Sequence, residues 1–285
     1  MISEYDAFGP WIYEVTPEHP LPPLFVSFVP EAEPLMLFKI PRNIERRVAT
    51  PDMDLYDYVV GAYEDHICVL KRVDHSVEAF SVAYADIEGI RLFRHFLHGV
   101  LTLYQKDGIV EIPFNTVSID IVSRFTELIR QRYPSKPVAL LPEAGSPNNM
   151  DILFVNLLRD LQKEEPDIQS RAYQAVQSPK LLDSCSALQK LLFRFRPQKL
   201  PALLYLTTPT ELIVILRESP SKKEAGDAYT YHYTYLPLAN IRNIRISESE
   251  RFQGITDCNL ETSHNSISYS VDSQNQGVLS FLRSL

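Results

Sequence analysis

The sequence predicts a mainly β protein with α, in which one small antiparallel fold closed by a C-terminal helix occurs twice. Three observations carry that expectation. The stretch Ala85-Asp86-Ile87-Glu88-Gly89-Ile90-Arg91 returns as Ala239-Asn240-Ile241-Arg242-Asn243-Ile244-Arg245. Segments of alternating polarity, the period of a half-buried strand, surround each copy. An amphipathic segment with helical spacing closes each half.

Residues 1–57 come first and hold nine of the 21 prolines. Proline fixes φ and removes a backbone donor, so this stretch reads as an extended arm with short edge strands and no central strand. Trp11, Ile12, Tyr13, Leu24, Phe25, Val26 and Phe28 are too apolar for a solvated tail, so the arm is expected to pack on the first domain. Residues 58–133 form that domain. Tyr58 to Tyr63, Ile67 to Val73 and Ala79 to Tyr84 read as strands, and Ile87 and Ile90 of the heptad point to the core. Gly99 to Tyr104 and Ile109 to Phe114 flank Asp107-Gly108, a hairpin signal because both residues tolerate positive φ. A helix from the cap Asn115 to Arg132 buries Ile121, Val122, Phe125, Leu128 and Ile129.

Residues 134–199 read as a connector followed by amphipathic helices. Met150 to Gln162 is the first, capped by Asn148, with Leu153, Phe154, Leu157, Leu158 and Leu161 on one face. Ile168 to Gln177 is expected to be a second, and Leu181 to Phe193 a helix passing into strand. Residues 200–285 repeat the first pattern. Glu211 to Arg217 matches Ile67 to Arg72, Tyr229 to Tyr235 alternates into the second heptad, and Gln276 to Leu285 closes the chain as a helix. The loop Glu218 to Ala228 is longer than its counterpart, and that single insertion reconciles the two registers.

These motifs resemble bacterial domains of the pleckstrin-homology-like (PH-like) superfold. The resemblance rests on Tyr84 to Ile90, Gly99-Val100-Leu101-Thr102-Leu103, Gly108 to Phe114 and the helix Thr116 to Arg132. It covers residues 58–133 well and 200–285 more weakly. It implies two PH-like barrels joined by a helical linker, and a function in binding: phosphoinositides, peptides or proteins. Phosphoinositide binders of that kind place Lys and Arg in the first hairpin turn, where charge-assisted donors meet phosphate. The corresponding turns here are Glu64-Asp65-His66 and Thr207-Thr208-Pro209-Thr210, which argues against inositol phosphates.

Composition narrows the function classes. A net charge of −8 disfavours nucleic acid, which rewards clustered cations. Three scattered cysteines suit a reducing cytoplasm, Met1 to Pro10 lacks a signal-peptide pattern, and no apolar run approaches transmembrane length. There is no GxGxxG and no Walker pattern, and no cofactor or enzyme activity is expected. His95 and His98 could share a turn, yet no nearby Cys or carboxylate completes a metal shell. His66 and Cys68 share a strand face, where a core cysteine is the expected reading over a nucleophile. The sequence therefore points to a non-enzymatic binding or scaffold protein acting through a protein partner or a second copy of itself. The alternative is peripheral contact with anionic lipid, or another anionic ligand, through a basic patch of Lys71, Arg72, Arg91 and Arg94.

Overall fold

The computed structural model describes residues 4–137, 149–195, 198–218 and 230–285. Strands make up 42% and helices 24% of the chain, arranged in several antiparallel sheets. The expected barrels are not reproduced as such, because no sheet closes on itself among the described residues. The chain divides into two compact units. The first is Met1–Ile87 with Leu97–Thr102 and Val110–Pro134; the second is Glu88–Phe96 with Leu103–Ile109 and Ser135–Leu285.

In the first unit a short helix, α1 (Glu4–Ala7), precedes β1 (Tyr13–Glu14), β2 (Met36–Pro41), β3 (Tyr56–Ala62), β4 (His66–Val73) and β5 (Ser76–Ala83). They form one antiparallel sheet in the order β1-β2-β3-β4-β5. The proline-rich arm therefore supplies more than edge strands. β2 pairs with β3 along its length and with β1 for two residues. Its prolines explain this: Pro34 and Pro41 bracket the apolar run and do not interrupt it, and the register shifts only at Ile40/Pro41. Phe8, Phe25, Leu55, Tyr56, Val59, Tyr63 and Leu70 fill the core between arm and sheet.

The chain continues through β6 (Ile87–His95), β7 (His98–Gln105), β8 (Gly108–Asn115) and α2 (Ile119–Arg130). Gly108 takes φ +128°, as the Asp-Gly signal requires. Asn115 does cap, accepting a bond from the Val117 N–H at 3.1 Å, but it caps a single 3-10 turn, Thr116–Ser118, ahead of α2. α2 buries Val122, Phe125 and Ile129, and Phe125 meets Phe38 edge-on at 5.1 Å. The Ile12 N–H donates to Ser118 Oγ at 2.9 Å, which ties the arm to the start of that helix.

The second unit adds α3 (Ile152–Glu164), β9 (Gln169–Gln174), β10 (Lys180–Leu181), α4 (Ala187–Phe195), β11 (Ala202–Thr207), β12 (Glu211–Arg217) and β13 (Tyr231–Pro237). After these come β14 (Asn243–Glu248), β15 (Phe252–Gln253), β16 (Ile255–Glu261), β17 (Ser266–Asp272) and α5 (Gln276–Ser284). Its large sheet runs β8-β7-β6-β13-β12-β11-β9, with β7 and β8 contributing their hairpin end. A second sheet, β14-β16-β17, packs with α5 on one face of it around Tyr205, Val214, Leu236, Cys258, Leu260 and Leu282.

Several linker expectations are corrected. Residues 168–177 do not form a helix: Gln169–Gln174 is strand β9, because pairing with β11 outweighs local helix propensity. The segment from Leu181 passes from strand to helix, the reverse of the expected order. α3 starts two residues late, with Asp151 as its cap, and of the expected stripe only Phe154 is fully buried. The expected cap Asn148, residues 219–228 of the long loop and Tyr229, the first residue of the expected strand after it, lie outside the described residues.

The two heptads occupy equivalent local structures. Tyr84–Asp86 and Leu238–Asn240 are single 3-10 turns, closed by the N–H groups of Ile87 and Ile241, and each leads into a strand. Ile87 and Ile90 are buried, whereas Ile241 and Ile244 are half-buried against the second unit's core. Three strands, a 3-10 turn, three further strands and a helix thus follow one another twice, ending in α2 and in α5, with the two-residue β15 as an addition in the second copy.

Candidate functional site

The four cations of the expected patch fall in two pairs. Lys71 and Arg72 lie on β4 in the first unit, and Arg91 and Arg94 lie on β6 in the second. Arg72 donates to Asp57 Oδ1 from Nε at 3.1 Å and Nη2 at 2.6 Å, and to the Asp74 carbonyl at 2.9 Å. Lys71 stands opposite Tyr58 on one side and Glu78 on the other.

On β6 the register with β13 decides the directions. Directly opposed residues share a face, so Arg94 lies with Tyr231, Leu92 and Tyr233, while Arg91 lies with Thr234, Phe93 and His232. Arg94 donates to the Tyr233 hydroxyl at 2.7 Å and sits 4.7 Å from that ring's centre. Arg91 donates to Thr234 Oγ1 at 3.4 Å and sits 5.4 Å from the centre of the Tyr104 ring. The two arginines thus serve opposite faces of one sheet. β13 itself lies between β12 and β6, so the aromatic run is an interior strand with no free edge for strand addition.

The histidines go to protein partners. His95 Nδ1 is 2.6 Å from Thr230 Oγ1, His232 Nε2 is 3.0 Å from Glu218 Oε1, and His66 Nδ1 is 2.6 Å from Asp65 Oδ1. No cluster of three or more His, Cys, Asp or Glu suited to a metal occurs among the described residues. Cys68 is buried, and burial pushes its thiol up, away from the thiolate a nucleophile needs.

The most densely bonded polar site was not singled out from sequence. Glu88, the fourth residue of the first heptad, enters the turn between β16 and β17. Its Oε2 accepts from Thr262 Oγ1 at 2.5 Å, Asn265 Nδ2 at 2.7 Å and the His264 N–H at 3.2 Å. Its Oε1 is 2.7 Å from His264 Nδ1. Asn265 Nδ2 also reaches the Gln105 carbonyl at 3.1 Å. Burial pushes the Glu88 carboxyl up, but the bonds from Thr262, Asn265 and His264 outweigh it and hold the group below its ordinary value. An ionised carboxylate with its lone pairs occupied by donors is a clamp, not a proton acceptor. The two heptads meet here, since Asn240 Nδ2 lies 3.4 Å from the Glu88 carbonyl. Gly89 permits the approach, because a Cβ there would come within 2.5 Å of Leu236. A carboxylate set between two core isoleucines was the available signal.

Asp151 is a second such device. It accepts from the Leu153 and Phe154 N–H groups at 2.9 and 3.2 Å and from Arg217 Nη1 at 3.1 Å. Arg217 also stacks 4.9 Å from the Phe154 ring centre, which fastens α3 to the sheet. Burial pushes the Asp151 carboxyl up, and Arg217 with the two helix N–H groups brings it below its ordinary value.

The surface carries large apolar side chains in both units. On the arm these are Trp11, Val26, Phe28 and Leu35; on the helices of the second unit they are Ile152, Leu153, Leu188, Leu191, Leu192 and Phe195. No helix among the described residues is long and apolar enough to cross a membrane. Fold and sites together define a mainly β protein of antiparallel sheets whose identified polar clusters are bonded internally. Models of known families and curated proteins give no match to the chain.

Proposed function

We propose that the chain is a non-enzymatic binding or scaffold protein built from two PH-like modules, acting through association with a protein partner or with itself. The observation that carries this reading is the apolar surface of the arm. Trp11 and Val26 are 51% and 59% exposed, and Phe28 and Leu35 are exposed beside them in sequence. Apolar surface of this kind marks sites of association. The repeated order of three strands, 3-10 turn, three strands and helix, with only the two-residue β15 added in the second copy, supports the modular part. An anionic ligand at Lys71, Arg72, Arg91 and Arg94 has less support, because Arg72, Arg91 and Arg94 already donate to protein partners.

Sedimentation velocity over a concentration series, with affinity capture from the native lysate, tests the reading. Association that weakens in Trp11→Ser and Phe28→Ser is the expected result. A strict monomer that retains nothing removes the proposal.

A further inference from the structure

α4 turns its apolar stripe outward. Leu188, Leu191, Leu192 and Phe195 recur at i, i+3, i+4 and i+7, the spacing of one helix face, and they are 65, 51, 60 and 76% exposed. The helix is nevertheless well made. Ser186 Oγ accepts from the Gln189 N–H at 3.3 Å, and Gln189 Oε1 accepts from the Ser186 N–H at 2.8 Å, a reciprocal capping box. Lys190 Nζ holds the Asp183 carbonyl at 2.7 Å. Attachment to the unit comes from the opposite side. Phe193 packs with Leu181 onto Leu200, Phe252 and Ile255, its ring 6.1 Å from that of Phe252. At about 100° per residue, Phe193 and Lys190 both lie roughly 150° from the centre of the stripe, on the far side of the helix, while Arg194, roughly 110° from it, flanks it.

Charge selects the occupant. Residues 178–200 carry Lys180, Lys190, Arg194, Arg196 and Lys199 against Asp183 alone, in a chain whose net charge is −8. The neighbouring turn adds Glu250 and Arg251, which cancel. A Leu and Phe stripe on a helix whose polar face is cationic is the composition of a helix that lies in a membrane interface. We infer that α4 docks on an anionic lipid surface, with Leu188, Leu191, Leu192 and Phe195 entering the headgroup–acyl boundary, Arg194 meeting lipid phosphates, and the net positive charge of residues 178–200 adding attraction to the surface. A second copy fits the face less well. Two facing stripes would bring two net cationic segments together, and four side chains fall far short of the roughly 800 Å² per partner of a stable interface. The net negative charge elsewhere does not prevent contact, since it is screened over about 8 Å at physiological salt.

This site is separate from the arm and does not depend on the association proposed for it. The test is co-sedimentation of the whole chain with mixed phosphatidylglycerol–phosphatidylcholine vesicles and with phosphatidylcholine alone. Binding to the anionic vesicles should exceed binding to the neutral ones by roughly tenfold or more, and should fall as far in Lys190→Glu/Arg194→Glu and in Leu192→Glu/Phe195→Glu. These side chains are exposed, so unchanged circular dichroism is expected of the variants. Phe195→Trp in a Trp11→Phe background gives an independent readout: its emission should shift to the blue and be quenched by brominated acyl chains. Absent binding, binding unaltered in both double variants, or Phe195→Trp emission that brominated chains leave unquenched would overturn the inference. So would a lipid-free dimer that Phe195→Glu dissociates, because the stripe would then belong to a second copy.

Discussion

Lys39 in the first unit and Glu88 in the second are both buried, 1% and 8% exposed, and each lies on a strand whose neighbouring residues are core. They are neutralised in different ways. Lys39 Nζ reaches Glu4 Oε1 at 3.0 Å and the Pro20 carbonyl at 2.7 Å, and lies 4.3 Å from the centre of the Tyr56 ring. All three partners, like Lys39 itself, belong to residues 1–57, and the Glu4 side chain is 30% exposed. Glu88 instead takes its donors from Thr262, His264 and Asn265, within one tight turn. The first arrangement is an ion pair made by a terminal segment and open to water on one side. The second is a pre-formed nest of donors inside a hairpin, so the charge and the turn stabilise each other.

Substitutions can break this contrast. Glu88→Ala should have the largest effect, a loss of about 3–5 kcal/mol, because it strands buried donors in the hairpin turn. Glu88→Gln keeps the shape and some of the bonds and should cost about 1–3 kcal/mol. Urea unfolding, followed by a probe in the second unit, checks both. An equal effect of the two variants would mean that packing, and not the charge, holds the turn.

Glu4→Ala should cost less, about 1–2 kcal/mol, because Lys39 keeps the Pro20 carbonyl and the half-open side admits water. The paired change Glu4→Gln with Lys39→Met should recover much of that loss, as replacing a buried ion pair by apolar bulk often does. A Glu4→Ala loss as large as that of Glu88→Ala would erase the distinction between the two sites.

Acid should separate the sites further. The Glu88 and Asp151 carboxyls are held below their ordinary values in the folded chain. Their stabilisation is therefore fully present above the unfolded-state carboxylate range and is lost as pH falls through the lowered folded values. The second unit should lose stability on the acid side of about pH 4, and Glu88→Gln should flatten that limb. Unfolding followed at several acid pH values reads the slope directly.

The smallest perturbation is chemical labelling. Cys68 and Cys258 are buried and Cys185 is half-exposed, and burial pushes the Cys258 thiol up to about 11. An aromatic disulfide reagent should modify one thiol in the native chain and three after denaturation. Early reaction at Cys258 would show that the second unit's core opens more readily than its bonding implies.

Much of the strand content was legible because alternation reports a sheet face directly. Tyr58 to Tyr63, Ile67 to Val73, Ala79 to Tyr84 and Glu211 to Arg217 all fall largely on strands, and Gln276 to Leu285 on the closing helix. The linker was harder to read. Gln169–Gln174 carries the helix formers Gln, Arg and Ala, and its pairing with β11 overrides them. The candidate cations lie on β4, where alternation placed a strand, and on β6, where it placed none, and their partners were not visible. Asp57 and Thr234 come from neighbouring strands, at separations that no local pattern encodes.

By itself the sequence determined the mainly β character, the recurrence of the heptad and the placement of both copies between strands. These follow from side-chain periodicity and from the turn chemistry of Asp, Asn and Gly, which act over a few residues. Only the tertiary structure decided that Glu88 is clamped by a hairpin more than 170 residues away in sequence, where three bonding residues converge. It also decided that Arg91 and Arg94 serve opposite faces, and that α4 is fastened by Phe193 with its leucines outward. Those outcomes depend on which strand becomes the neighbour, and long-range pairing alone settles that.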